Sequence, residues 1–153
     1  MVDVLNVAAY VLDQTGPIST MKLQKLVYYS NAYHLVTTGR PLFTNKIEAW
    51  ANGPVVHDLF NRHRGKYVVA RDDLPLSRNV EALTYREKES VRHVVSRIGG
   101  LTGAQLSELT HSEQPWADQR VGVAPGDRSS NKITLEAIRS FYSSPVCTNP
   151  VFS

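Results

Sequence analysis

A chain of 153 residues, 42% hydrophobic and 20% charged, is long enough for one domain with a single core, too short for two, and too apolar for extensive disorder. Its 17 Lys and Arg stand against 14 Asp and Glu for a net charge of +3, spread without a basic run, which permits nucleic-acid binding without indicating it. One cysteine, Cys147, excludes an internal disulfide and suits a reducing compartment; with no leader pattern at Met1 to Val4 and no stretch near the ~18 apolar residues of a membrane span, a cytoplasmic protein with no membrane partner is expected.

Asp3 is placed to cap a first helix with Val4, Val7, Ala8, Val11 and Leu12 at helical spacing, stopped by Gly16-Pro17. A second helix starts at Ser19 or Thr20 and runs to about Thr38, where Gly39 and Pro41 close it. Residues 42–50, with Phe43, Ile47, Ala49 and Trp50, lack helical period and read as a short extended connector. Gly53-Pro54 punctuates the chain, and Pro54 suits the first position of a third helix carrying Val55, Val56, Leu59 and Phe60, closed by Gly65. Tyr67-Val68-Val69 reads as a short strand, followed by a loop through Pro75 toward Leu83. Capping boxes at Thr84 to Glu87 and Thr102 to Gln105 open two further helices, one with Val91, Val94, Val95 and Ile98 and one with Leu106 and Leu109, the latter broken at Pro115-Trp116. A loop over Gly122 to Ser130 precedes a last helix with Ile133, Leu135, Ile138 and Phe141, and the proline-spaced tail is expected to be non-helical. The sum is a mainly α, single compact domain over residues 1–142, of roughly five to six helices around a buried central helix, with at most a short strand pair and a tail over residues 143–153.

The central helix carries the stretch MKLQKLVYYSNAYHL, residues 21–35. At about 100° per residue its apolar side chains cover nearly every direction, the pattern of a helix buried on several faces. Lys22, Gln24, Lys25, Asn31 and His34 are thereby drawn into or beside a core, where each must find a hydrogen bond or a counter-charge or reach water. Lys22, Lys25, Tyr29 and Tyr33 share roughly one quadrant and either finish their bonds inside or offer them to a partner. A nucleic-acid surface would use Lys22 and Lys25 with Arg62, Arg64 and Lys66.

Catalytic, metal and cofactor signatures are missing. His57-Asp58 are adjacent and point apart on a helix, His57 and His63 lie on different sides, and His111 with Glu113 reads more simply as a loop anchored by Pro115 and Trp116. With no phosphate loop, nucleophile elbow or zinc spacing, a non-enzyme is expected.

The ordered set MKLQKLVYYSNAYHL, GRPLF, IEAWANGPVVHDLF, LTHSEQPW and a final Ile133, Ile138, Phe141, Tyr142 resembles the Panacea domain family, the SocA-like, phage-associated antitoxins, over about Val4 to Tyr142. The resemblance implies an antitoxin that binds and neutralises a cognate protein toxin, its gene adjacent, with no cofactor. The matching family positions are Lys22, Leu23, Gln24, Lys25, Leu26, Tyr29, Trp50, Gly53, Pro54, Val55, Thr110, His111, Pro115 and Trp116, which it assigns to a shared scaffold. Partner choice is expected in more variable surface. The candidates are Tyr67, Arg71 and Tyr85 in the middle segment and Val146, Val151 and Phe152 in the tail, beside Lys22, Lys25, Tyr29 and Tyr33. The tail itself either packs back on the domain or docks on a partner.

Overall fold

Helix α1 (Val4–Thr15) and helix α2 (Thr20–Thr38) open the chain in the computed structural model, which describes residues 2–74 and 83–153. Asp3 caps α1 by accepting the Leu5 N–H at 3.0 Å, and Ser19 caps α2 by accepting the Lys22 N–H at 3.1 Å. Gly39, at φ 80°, turns the chain out of α2 while its N–H donates to the Leu35 carbonyl at 2.9 Å. Every residue from Leu23 to Ala32 is buried, since α1, three later helices (Tyr85–Ile98, Gly103–His111 and Leu135–Tyr142) and a later strand (Gly53–Val56) all pack against α2. Each buried Leu or Val along it contributes about 1.5–3 kcal/mol of transfer free energy. The GRPLF segment returns over this helix: Asn31 Oδ1 accepts the Leu42 N–H at 2.7 Å.

The stretch expected to be a connector followed by a proline-led helix is a hairpin. Strands β2 (Ile47–Trp50) and β3 (Gly53–Val56) pair antiparallel, Ile47 opposite Val56 and Ala49 opposite Pro54. Pro54 is tolerated because of that register. The Ala49 N–H donates to the Asn131 carbonyl at 2.8 Å and its carbonyl accepts from Arg120 Nη1 at 3.2 Å, so both groups face away from β3 and no donor is needed opposite them. Helix α3 (His57–His63) therefore starts three residues after Pro54. On the outer side of β2, the Ile133 N–H donates to the Ile47 carbonyl at 2.8 Å. A smaller pair joins β1 (Ile18–Ser19) to β4 (Val68–Val69), as the Tyr67-Val68-Val69 pattern anticipates. The loop expected beyond it falls, from Pro75 to residue 82, outside the described residues.

Both capping boxes form, opening α4 (Tyr85–Ile98) and α5 (Gly103–His111). Two expectations near the C-terminus need correction. Pro115-Trp116 lies within a further helix, α6 (Gln114–Ala117), where the proline occupies a first-turn position that lacks a hydrogen-bond partner for N–H in any case. The tail after α7 (Leu135–Tyr142) ends in a 3-10 turn over Pro150–Phe152, capped by Asn149 and laid on α2 and α4. The described residues thus hold seven α-helices and two small strand pairs beside short 3-10 turns, and none of these helices is long and apolar enough to cross a membrane.

Candidate functional site

Gln24 joins the central helix to the hairpin. Its Oε1 accepts the Val56 N–H at 2.9 Å, and its Nε2 donates to the Val56 carbonyl at 3.2 Å and to His63 Nε2 at 3.0 Å. Val56 lies opposite Ile47 with both backbone groups turned away from β2, so the amide replaces the next strand. The same bond settles the histidine. Because Gln24 Nε2 can only donate, His63 Nε2 accepts and the ring is neutral with its proton on Nδ1, in line with burial lowering its pKa.

Lys25, one residue on, has a different fate. It is 1% exposed, and among the described residues its Nζ has neither a hydrogen bond nor an ion pair. Burial lowers its pKa from 10.5 to about 7. Its stem lies against Gly53, whose φ is 118°; a Cβ there would stand 2.6 Å from Lys25 Cε and 2.8 Å from Thr110 Oγ1. Only glycine lets the hairpin approach this closely. Lys25 and Gln24 form one wall of a cavity of about 800 Å³ bounded by α2, the hairpin, α3 and the 128–130 loop.

The α5–α6 motif clamps the hairpin from the other side. Trp116 Nε1–H donates to the Trp50 carbonyl at 2.7 Å, Ser107 Oγ–H to the Asn52 carbonyl at 2.6 Å, and the His111 ring stacks on Trp116 at 3.9 Å. Thr110 turns its own hydroxyl back to the Ser107 carbonyl at 2.6 Å, and Pro115 is buried. Arg120 packs over Trp116 at 5.6 Å while bonding to Ala49.

Glu113 belongs to a separate, interior network. Its Oε1 accepts from Tyr29 at 2.6 Å and Tyr142 at 2.7 Å, and its Oε2 accepts from Asn149 Nδ2 at 2.8 Å. Tyr28 and Tyr142 hydroxyls meet at 3.0 Å, and the three tyrosine rings pack edge to face. Burial raises the pKa of Glu113, and the three donated bonds oppose that rise. The tail is pinned here: Asn149 also accepts the Val151 N–H at 2.9 Å, and Val151 is 1% exposed.

The proposed partner-contact residues therefore divide. Tyr29 is fully buried and bonded to Glu113, and Val151 is core, so neither is offered to a surface. Lys22 Nζ donates to the Gly99 carbonyl at 2.6 Å. Tyr33 and Phe152 are half-buried, Tyr33 stacked on His93 at 4.0 Å and Phe152 on Tyr142 at 4.7 Å, and Arg71 pairs with Asp13 at 3.3 Å. Tyr67, Tyr85 and Val146 stand free at 82%, 74% and 68% exposure. Of the five cations of the nucleic-acid reading, Lys25 is interior, Lys22 is bonded to Gly99 and Lys66 pairs with Asp73 at 3.4 Å, which leaves exposed Arg62 and Arg64.

The candidate catalytic pairs are not brought together. His111 lies on Trp116 while Glu113 turns to the tyrosines, and Asp58 accepts from Asn45 Nδ2 at 2.8 Å. His57 and His63, expected on different sides of a helix, both border the same cavity with Phe60 between them. No group of three or more His, Cys, Asp or Glu among the described residues is arranged to hold a metal ion. Sequence reasoning missed the bracket role of Gln24, the Glu113 network and the Asn149 pin. Only the last left a local sign, an Asn-Pro pair of the kind that caps a turn.

Residues 23–117 match the family described as Antitoxin SocA-like, Panacea domain. That span runs from α2 to the end of α6 and contains the Gln24 bracket, Lys25, the hairpin and the Trp116 clamp. The chain belongs to this antitoxin family. It is similar to Antitoxin SocA of Caulobacter vibrioides (strain NA1000 / CB15N), 33% identical over 129 residues, covering 75% of this chain and 69% of that protein. No solved structure matches the chain significantly. The matching motifs meet in space: KLQKL, through Gln24, and THSEQPW, through Trp116, hold from two sides the hairpin whose turn and second strand are ANGPVV. Tyr142 and Asn149, which complete the Glu113 network, lie beyond the Panacea span.

Proposed function

We propose that the protein neutralises a cognate protein toxin, encoded by the adjacent gene, by direct contact in the cytoplasm and without enzymatic chemistry. The observation that carries this reading is family membership across the α2–α6 scaffold. Exposed Tyr67 and Tyr85 support it, since large aromatic side chains left in water are the usual anchors of protein interfaces. The scaffold motifs hold the hairpin on α2, and surface residues outside them select the toxin.

Co-expression with the adjacent gene's product tests the reading. That product is expected to arrest growth alone and to be harmless with this protein present, the two co-purifying. Tyr67→Ala with Tyr85→Ala is expected to leave the melting temperature unchanged and to weaken the complex at least tenfold, about 1.4 kcal/mol. A harmless neighbour, or toxicity that persists beside a folded antitoxin, refutes the proposal. Binding to DNA that weakens steeply with salt would instead favour a phosphate-driven regulator.

A further inference from the structure

Lys25 is the one lysine of α2 that the fold buries without a partner among the described residues. Its neighbours are bonded: Lys22 to Gly99, Gln24 to Val56 and His63, Tyr29 to Glu113. A lysine withdrawn from water with no counter-charge destabilises a fold, and such a residue bordering a cleft marks a candidate binding site.

The surroundings point to what it would bind. The cavity of about 800 Å³ is within the range of small-molecule sites, ~300–1,000 Å³, and far larger than one inserted acidic side chain requires. One wall is aromatic, Trp50 and Phe60 meeting edge to face at 4.8 Å with Arg64 5.2 Å over the Phe60 ring. Exposed Arg64 and Arg128 stand at the cavity edge, and the one acid among the described lining residues, Glu48, already accepts from Trp50 Nε1–H at 2.8 Å. The interior thus combines an unpaired ammonium, a flat apolar wall and a cationic rim.

We propose that this cavity binds a small molecule carrying an oxyanion, carboxylate or phosphate, on a flat apolar body, with the oxyanion on Lys25 Nζ and the body against Trp50 and Phe60. Gly53 holds the lysine stem in place, since anything larger would displace it. The ionisable groups close enough to feel the Lys25 charge are His63 on α3 and His111 on α5, while Glu48, His57, Arg64 and Arg128 line the same cavity. Burial lowers both histidine pKa values, so anion binding draws its proton chiefly onto Lys25, whose pKa of about 7 leaves it partly neutral beforehand.

Calorimetry and melting of the full chain with phenyl phosphate and with benzoate test this, with inorganic phosphate and phenol as controls. Saturable binding by at least one of the two probes is expected, tighter than either control, and weaker by about tenfold at pH ~8.5 than at pH ~6.5 with net proton uptake. Lys25→Met, an apolar replacement of similar length, is expected to fold and to lose the binding. The proton-uptake measurement needs no variant. No saturable binding by either probe up to about 10 mM, or equal binding by Lys25→Met, overturns the site. Phosphate alone binding as well as phenyl phosphate removes the flat-body requirement and overturns it too. If the toxin excludes the probe from the cavity and Lys25→Met no longer neutralises, the pocket receives an acidic group of the toxin, and the small-molecule assignment falls.

Discussion

Replacing Gln24 by leucine should cost more than its shape change suggests. The side chains are similar in size, but leucine leaves the Val56 N–H, the Val56 carbonyl and His63 Nε2 without the partners they have at 2.9, 3.2 and 3.0 Å. Each buried group stranded in this way costs about 1–3 kcal/mol. Val56 is fully buried and bears the whole penalty twice, while His63 borders the cavity and can take a water. Allowing for the added apolar burial, the net is about 3–5 kcal/mol, a large part of the ~5–15 kcal/mol of a typical domain. Urea denaturation reads this directly: at a slope of ~1–3 kcal/mol per molar, the midpoint should fall by about 1–5 M. Gln24→Glu sharpens the test. A carboxylate still accepts from Val56 but donates to neither other group, and protonation restores one donor. Its folded pKa is therefore raised, so the deficit against the parent should be smallest below the unfolded carboxyl pKa and grow as pH rises through the folded value. A Gln24→Leu variant within about 0.5 kcal/mol of the parent, or a Gln24→Glu deficit flat with pH, would refute the bracket.

Gly53→Ala should destabilise by about 2–5 kcal/mol, from φ 118° and a Cβ 2.6 Å from Lys25 Cε, measured by thermal melt. Lys25 adds a basic-side signature. Its pKa is about 7 folded against 10.5 free, so between those values the unfolded chain holds a proton the folded one lacks and stability should rise with pH, by up to about 1.4 kcal/mol per unit. Lys25→Met should flatten that slope and raise stability at neutral pH. Glu113, its pKa raised, should act in the opposite sense, its contribution complete below the unfolded pKa of 4.5 and lost as pH rises through the folded value. Glu113→Gln should remove that dependence, keep both tyrosine bonds and lose the Asn149 bond, so hydrogen exchange at Val151 should quicken while α2 stays protected.

The features legible along the chain are those that four or five neighbouring residues can specify. Asp3, Ser19, Thr84 and Thr102 announce helix starts because a cap closes onto an N–H two or three residues away, and Gly39 announces a stop because few other residues adopt its φ. The all-round apolar wheel of α2 likewise showed that it would be enclosed, and the order of the motifs showed the family. How the enclosed polar groups pair emerges only from the packed fold. Pro54 reads as a helix start until Ala49, opposite it, is seen to bond outward to Asn131. Gln24 meets Val56 across 32 positions and Tyr29 meets Glu113 across 84, separations that leave no local pattern. The tail's two open fates were settled by one such bond, Asn149 to Glu113. Lys25 looked no different from Lys22 in the chain. The fold bonded one to Gly99 and left the other at a cavity wall, because the direction of each side chain from α2 depends on what packs beside it.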